Sequence, residues 1–574
     1  MDLKDKKGSA LVIFGEESPH LYSSKYDVVL SGEELRKFVE PGSIYEATAM
    51  VEELSRLKMP DGKHITKYFT YKGYELWWMH ENSIFLYFCL PYTQYRKLLE
   101  HLATYSKITL YNPPYKSLFI YFLQSCGCQI KIIGKAKLIN FPSLPLGIFV
   151  QMLLTLLSLP VLIVKKSFIL VFIGDKLEKG RDYDFRMKFV YEGLRSKNLD
   201  FVEFVRSLES WKKVLKNAFL RMRPVIYSEP VSYLGLILSF ITGESNRTKK
   251  QFLSFVGSYQ PPWEQFKFRI STHYLLTACG DIWSIKIIGK ILTLIKVRAA
   301  FFSAAGERNM NTFLGCKTKS IETVGIMHGV HSRYYTMYDF MTGFRGEKQL
   351  SVDRYGLWSE WWREYYLQHS NAYRSEQLFV SGPMRPLGRL TKDSKSPSID
   401  GPIKVLFISE QIAVPEEVIT YLEALLNEVE IDTTIVFRPY RDGFRNWLDE
   451  HRPDILKHPK LTILEGGSGL QQAINQNEVT VGTMSTAVLE ALFQCRVPIF
   501  FETKKWGDYY NLKGSQFFAH DTDGLIEKIK NARRVSLNDL INLQKKYFGD
   551  PHKNGSKWVV DQLEEAVLKG CMTR

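Results

Sequence analysis

Short apolar runs alternate with stretches of helical period over most of the chain. Ala10-Leu11-Val12-Ile13-Phe14 ends at Gly15, Val28-Val29-Leu30 ends at Ser31-Gly32, and Ser31 is placed to cap a helix starting near Glu33. Ile84-Phe85-Leu86-Tyr87-Phe88, Ile108-Thr109-Leu110-Tyr111 and Ile130-Lys131-Ile132-Ile133 continue the series. Continuous apolar strands separated by helices predict a parallel sheet covered on both faces. The same pattern returns at 168–174, 299–303, 322–327, 378–383, 405–408, 434–437 and 461–464, with helices predicted over 309–319 and 415–429. Its last repeat is 479–502. There Val479-Thr480-Val481 breaks at Gly482, Val488, Leu489, Leu492 and Phe493 share one helical face, and Ile499-Phe500-Phe501 is a second buried strand. Strand, turn, helix and strand in that order build a parallel α/β sheet.

One segment departs from this rhythm. Residues 138–164 carry no charge and are closed by Lys165-Lys166, which by length and composition makes a transmembrane candidate. A single span would put the strands before it and the polar candidates after it on opposite sides of a bilayer. Three readings stay open: embedded in a membrane without crossing, buried as a core helix, or spanning. Pro145 and Pro160 mark the ends of a short, broken element. Downstream, Trp211, Leu215, Phe219 and Met222 fall at helical spacing beside Lys212, Lys213, Lys216, Arg221 and Arg223, with no acid among them. That composition suits a basic helix at a membrane interface, or equally a domain surface with extended lysines.

The length of 574 residues exceeds one compact core, so two or three domains are expected. A chain 45% hydrophobic and 24% charged is a folded one. Its 76 basic against 61 acidic side chains, a net +15, imply an anionic partner: nucleic acid, lipid headgroups or a phosphorylated substrate. The basic residues are dispersed and no recognition motif appears, which argues against nucleic acid. Seven scattered cysteines match neither a zinc site nor a disulfide framework and favour a reducing compartment. The N-terminal MDLKDKKGSA has no apolar core of a signal peptide, so the protein is expected to face the cytoplasm. Walker A, GxGxxG and GxSxG patterns are absent from the sequence.

Candidate chemistry gathers where strands end. Ser485 or Thr486 would cap the helix after Gly482, where N–H groups suit a phosphate, and Glu490 one turn on could take ribose hydroxyls. An ordinary capped helix with a solvated glutamate fits the pattern equally well. The strand at 299–303 leads to Glu307, and the strand at 322–327 leads to His328. Both ends should project to one sheet edge, where ligands of open α/β sheets bind. A helix-capping glutamate and a structural histidine are the plain alternatives. His331 follows at i+3, weak evidence for a metal without a third ligand. Asp182 and Asp184 form a D-x-D that does not directly follow a strand and reads as solvated loop. Arg438 and Arg441 end the strand at 434–437 and are credible anion contacts. Tyr334, Tyr335, Trp358, Trp361, Trp362, Tyr365 and Tyr366 could stack on a base or sugar, or pack between domains.

Ser485-Thr486, then Leu489-Glu490-Ala491-Leu492, then a short turn to the Pro498-led apolar strand, resembles the donor half of GT-B glycosyltransferases. The similarity is to the bacterial surface-polysaccharide group, which includes sialyl-, Kdo- and CDP-glycerol-type transferases. A second motif of that group is Glu322-Thr323-Val324-Gly325-Ile326-Met327-His328-Gly329, a strand ending in His-Gly at the interdomain cleft. In the group the 438–441 position often reads Lys-Pro-His-Pro. Here Arg438 keeps the charge and Tyr440 replaces the histidine, which puts a phosphate role at 440 in doubt. The motifs cover about a third of the chain.

The resemblance implies an α/β protein with two Rossmann-like domains facing across a cleft. Residues 1–345, with the apolar segment, would be the acceptor domain, and 346–574 the nucleotide-donor domain. The implied reaction is metal-independent transfer of a sugar from a nucleotide-activated donor to a hydroxyl of a lipid-linked surface glycan, with no cofactor beyond the donor. Glu307 would accept the hydroxyl proton, and His328, Arg438, Arg441 and the Ser485-Thr486 turn would meet the phosphate, with Glu490 on the nucleotide. The expected partners are the nucleotide sugar, the acceptor glycan and an anionic membrane surface, at the cytoplasmic face of the inner membrane. A CDP-glycerol-type polyol-phosphate transferase and a non-catalytic membrane-associated scaffold are the alternatives.

Overall fold

The computed structural model describes the chain except residues 1–5, 16–24, 135–143, 167, 179, 184–186, 303–309, 335–336, 385–400, 410–413, 438–442, 465–468 and 573–574. Three parallel sheets follow one another along it, with one small antiparallel hairpin, Thr70–Tyr71 against Tyr74–Glu75. The first sheet runs Val28–Leu30, Lys7–Ile13, Tyr105–Tyr111, Gln129–Ile133 in space. The middle sheet has seven strands, in the order Leu378–Val380, Arg354–Leu357, Glu322–Ile326, Ala299–Phe302, Ile169–Gly174, Phe201–Arg206, Val225–Tyr227. The third has six: Leu461–Leu464, Ile431–Val436, Ile403–Ile408, Val479–Gly482, Val497–Phe501, Phe518–Ala519. The predicted strands appear because their side chains are buried on both faces. In the third sheet Val405, Phe407, Val479, Val481 and Ile499 are all fully buried, each stabilising the unit by about 1.5–3 kcal/mol.

The middle and third sheets are both doubly wound, the Rossmann-like architecture that the sequence implied. Strand order reverses between Ile169–Gly174 and Ala299–Phe302 in one, and between Ile403–Ile408 and Val479–Gly482 in the other. Sheet membership changes between Val380 and Ile403, so a division at 345/346 falls inside the run of the middle sheet. The first 345 residues hold the four-stranded sheet and most of the middle one.

Three local expectations are corrected. Residues 84–88 are not a strand: Glu81–Ile84 is helical, Phe85–Cys89 forms a π-turn, and Leu90–Leu102 continues the helix. An aromatic-rich apolar run has strand composition, but here Phe85 and Phe88 are buried on a helix. Second, Leu144–Lys165 is one helix of 22 residues that runs through Pro160 instead of breaking there. Third, the basic helix is Trp211–Arg221, ended by Met222 in the left-handed conformation, and its charges are not all unopposed. Arg221 is buried and bonds Asp175 at 2.7 Å and Glu203 at 2.9 Å. Arg223 meets Asp182 at 2.9 Å and Glu203 at 3.2 Å. The exposed Lys213 pairs with the half-buried Glu209 at 3.0 Å.

The helix Leu144–Lys165 is stitched to the middle sheet. Its Thr155 Oγ1 accepts from the Tyr227 N–H at 3.0 Å and its Ser158 Oγ from the Val225 N–H at 3.1 Å. Those N–H groups belong to the edge strand, which is thereby closed to further pairing. Gln151 Nε2 donates to the Ser207 carbonyl at 3.2 Å. Between the edge strand and Ala299–Phe302 lies a helical insertion the sequence pattern does not announce, from Ser228–Ile241 to Ala278–Leu294. Those two helices cross at glycines: a Cβ on Gly235 would lie 2.1 Å from Ser284 Oγ, and one on Gly280 would lie 2.7 Å from Leu236. Larger residues there would push the helices apart.

Candidate active site

The middle and third sheets meet by their carboxyl edges. Strand Glu322–Ile326 leads through Met327 into His328-Gly329-Val330-His331, and the strand Val479–Gly482 leads into Thr483-Met484-Ser485-Thr486. The two turns touch. The Val330 N–H donates to Thr486 Oγ1 at 3.2 Å, and Tyr509, after the next strand of the third sheet, donates its hydroxyl to the Val330 carbonyl at 3.3 Å. Each turn is anchored from behind, by Trp358 Nε1 on the Met327 carbonyl at 2.5 Å and by the Tyr510 hydroxyl on the Met484 carbonyl at 2.7 Å.

Ser485 caps as expected: its Oγ accepts from the Ala487 N–H at 3.3 Å. The helix it caps is shorter than the periodicity predicts. Thr486–Leu489 makes one α-turn, Glu490–Gln494 tightens to 3-10, and Cys495 ends it in the left-handed conformation. A single turn sums few peptide dipoles, so the attraction for phosphate that a longer helix would supply is reduced. Glu490 is half-buried and accepts from Gln471 Nε2 at 2.6 Å. Glu307, Arg438 and Arg441 lie outside the described residues, as does Asp184. Asp182 is ion-paired with Arg195 and Arg223 and is not a merely solvated loop residue.

His328 is half-buried at the turn, with its ring 5.4 Å from that of His331 and nearly perpendicular to it. His331 is the residue the sequence reading undervalues. Its Nδ1 lies 2.5 Å from Asp339 Oδ2, and Asp339, fully buried, also accepts from the Tyr366 hydroxyl at 3.1 Å. A carboxylate receiving the Nδ1 proton leaves Nε2 as the basic nitrogen of the neutral ring. The spacing His-x7-Asp carries no signal in the sequence; the pair forms because Met337–Phe340 turns back under the His-Gly loop. Of the aromatic cluster, Tyr335 lies outside the described residues, and Trp362 packs between units: it is buried, and its Nε1 donates to the Tyr547 carbonyl at 2.9 Å.

The first unit closes over the third sheet through Tyr45. Its ring sits 4.5 Å from Tyr334, and its hydroxyl reaches the Trp506 carbonyl at 3.5 Å. Beneath it is a cavity of about 640 Å³, a size suited to a small ligand, lined among others by Tyr45, Glu417, Tyr421, Glu502, Lys504 and His520. Burial pushes the Glu417 carboxyl up, opposed by backbone N–H groups of Lys504 and Lys505, and burial lowers the Lys505 ammonium. Among the described residues, His328, Ser485, Thr486 and Glu490 do not line this cavity. It lies further along the same carboxyl edge, past the end of Val497–Phe501.

No family model matches the chain, and no curated protein matches it in sequence. Solved structures similar to it include a glycosyltransferase from Rickettsia africae, 11% identical over 71% of this chain and 98% of that one, with a TM-score of 0.37. The UDP-GlcNAc 2-epimerase of Methanocaldococcus jannaschii is 13% identical over 69% and 99%, TM-score 0.39. Anabaena HepE in complex with UDP is 9% identical over 70% and 98%, TM-score 0.36. At these identities and scores none of them lends a residue role to this chain.

What the geometry offers chemically is a narrow meeting of two strand-end crevices. Histidines with distinct environments stand on one side, and hydroxyls with a carboxylate on the other. The His331–Asp339 pair can take up a proton, and the Ser485-Thr486 turn presents short polar groups to an anion.

Proposed function

We propose that the protein transfers a sugar from a nucleotide-activated donor to a hydroxyl of a lipid-linked glycan, without a metal, at the cytoplasmic face of the inner membrane. The observation that carries this reading is the contact of Thr486 with Val330, which joins the carboxyl edges of two doubly wound sheets. Open α/β sheets bind ligands beyond the strand ends where the order reverses, and the Ser485 turn follows one of the two strands at that reversal in the third sheet. The nucleotide would lie there, with Glu490 held by Gln471 toward the ribose, and with His328, Arg438 and Arg441 meeting the phosphates. Glu307, after the strand bordering the reversal in the middle sheet, would take the acceptor's proton as the hydroxyl attacks.

Titration calorimetry with nucleotides tests the site. Ser485→Ala with Thr486→Ala should weaken binding by about 1–3 kcal/mol, and unchanged affinity would remove the nucleotide from this turn. Turnover separates the proton acceptors. Glu307→Gln should lower kcat by roughly 10²–10⁴ with donor affinity nearly intact. Near-normal turnover in that variant, with loss in His331→Ala, would hand the role to the His331–Asp339 pair, which the geometry favours as the second reading.

A further inference from the structure

We propose that the outward faces of Leu144–Lys165 and Ser228–Ile241, with the end of Trp211–Arg221, form a docking surface that enters one leaflet of an anionic membrane without crossing it. This is independent of the donor chemistry.

Leu144–Lys165 packs against both of the other helices. The face of Leu144–Lys165 opposite Gln151, Thr155 and Ser158 exposes Phe149, Leu153, Leu156 and Leu157. Beside it Ser228–Ile241 exposes Ile237, Phe240 and Ile241. At the end of the basic helix Phe219 is 78% and Met222 91% exposed. Soluble monomers rarely leave so large an apolar surface bare, and such surfaces mark membrane or protein contacts. Charge decides between these two. Around the apolar residues stand exposed Lys166, Lys212 and Lys216, and Arg247, Lys249 and Lys250 on the helix after Ile241, while Lys165 is paired with Asp200 at 3.0 Å. In a two-fold dimer through this face the same cations would oppose one another, whereas anionic headgroups would neutralise them.

Leu146–Lys165 is long and apolar enough to cross a bilayer by length and composition. The contacts on either side of it exclude that. Residues before the helix bond directly to residues after it: Trp77 Nε1 to the Ser271 carbonyl at 3.2 Å, Tyr121 hydroxyl to His273 Nδ1 at 2.8 Å, and His80 to Asp281 at 3.2 Å. Crossing would also strip the hydroxyls of Thr155 and Ser158 from the sheet edge and leave buried N–H groups unpaired. An in-plane helix keeps both sets of bonds and still buries its apolar face.

Flotation of the full chain with sealed vesicles tests the proposal. The protein should float with a phosphatidylcholine–phosphatidylglycerol mixture, less with phosphatidylcholine alone, and less as salt is raised. Leu157→Glu with Ile237→Glu, both on exposed positions, should keep the far-ultraviolet circular dichroism and lower partitioning by more than about tenfold. Lys212→Glu with Lys216→Glu should lower it on the anionic vesicles only. Protease added outside the vesicles should cut the chain both before Leu144 and after Lys165. Protection of one side alone would show a span and overturn the proposal. So would a double glutamate variant that floats like the parent, or one whose only change is dissociation of a dimer.

Discussion

The two carboxyl edges that meet at the cleft hold their described polar groups in opposite ways. On the middle sheet Asp175 follows the strand at the order reversal and is buried, bonded to Arg221, to Asn217 at 3.0 Å and to Ser207 at 2.6 Å. Glu203, fully buried one strand along, meets Arg221, Arg223 and Tyr191. Burial alone would discourage both guanidinium charges, and the carboxylates, Glu203 foremost, outweigh it and raise them. On the third sheet Ser485, Thr486 and Glu490 are half-buried, and among the described residues Ser485 bonds the Ala487 N–H, Thr486 the Val330 N–H and Glu490 the Gln471 amide. A charge already matched by protein charge has little left for a ligand. The Asp175 end of the first edge is a structural joint, whereas the turns after Ile326 and Gly482 keep neutral polar groups toward the cleft.

Breaking the joint should have the largest effect. Arg221→Met leaves Asp175 and Glu203 buried without their shared cation and should cost about 3–5 kcal/mol in denaturant unfolding. A cost near zero would show that water reaches the site. Glu81 sharpens the contrast, because it is a fully buried carboxyl with no arginine. Neither of its oxygens has a hydrogen-bond partner among the described residues, and burial raises it well above the ordinary 4.5. A carboxyl raised on folding contributes stability that is complete below 4.5 and is lost as pH climbs through the raised value. Glu81→Gln should therefore flatten the fall of the urea midpoint above pH 4.5, and an unchanged pH profile would place the titration elsewhere. The smallest effect should come from the open edge. Thr486→Val removes only the bond from Val330 and should lower stability by about 0.5–1.5 kcal/mol.

The strands were legible because a strand buried on both faces is an unbroken apolar word, as at Ile169–Gly174 and Val497–Phe501. The same signal misled at 84–88, where burial around a helix writes the same letters. Helix length after Ser485 was not legible, since Val488, Leu489 and Leu492 fit one face whether or not the second turn tightens. The inward turn of Arg221 was hidden because its partner Asp175 lies 46 residues back in the chain. Asp339 was hidden for a milder reason. Nothing in a spacing of 8 residues tells that a loop folds back to place a carboxylate on a histidine. Polar sites depend on long-range closure, and periodicity records only local burial.

The helix Gly555–Met572 has a bearing on synthesis. It follows the third sheet in the chain yet belongs to the middle one: Gly555 bonds the Pro383 carbonyl at 2.9 Å, Ser556 bonds Met384 at 2.7 Å, and Glu565 pairs with Arg354 at 2.7 Å. Leu563 and Val559 are buried in the same cluster as Val324 and Phe301. On a ribosome, where units emerge and fold in order, the middle unit must wait with that apolar surface bare while the whole third unit is made. Nascent chains arrested just before Gly555 should thus carry a protease-resistant third unit and a middle unit still open to cleavage, a reversal of the usual order of completion.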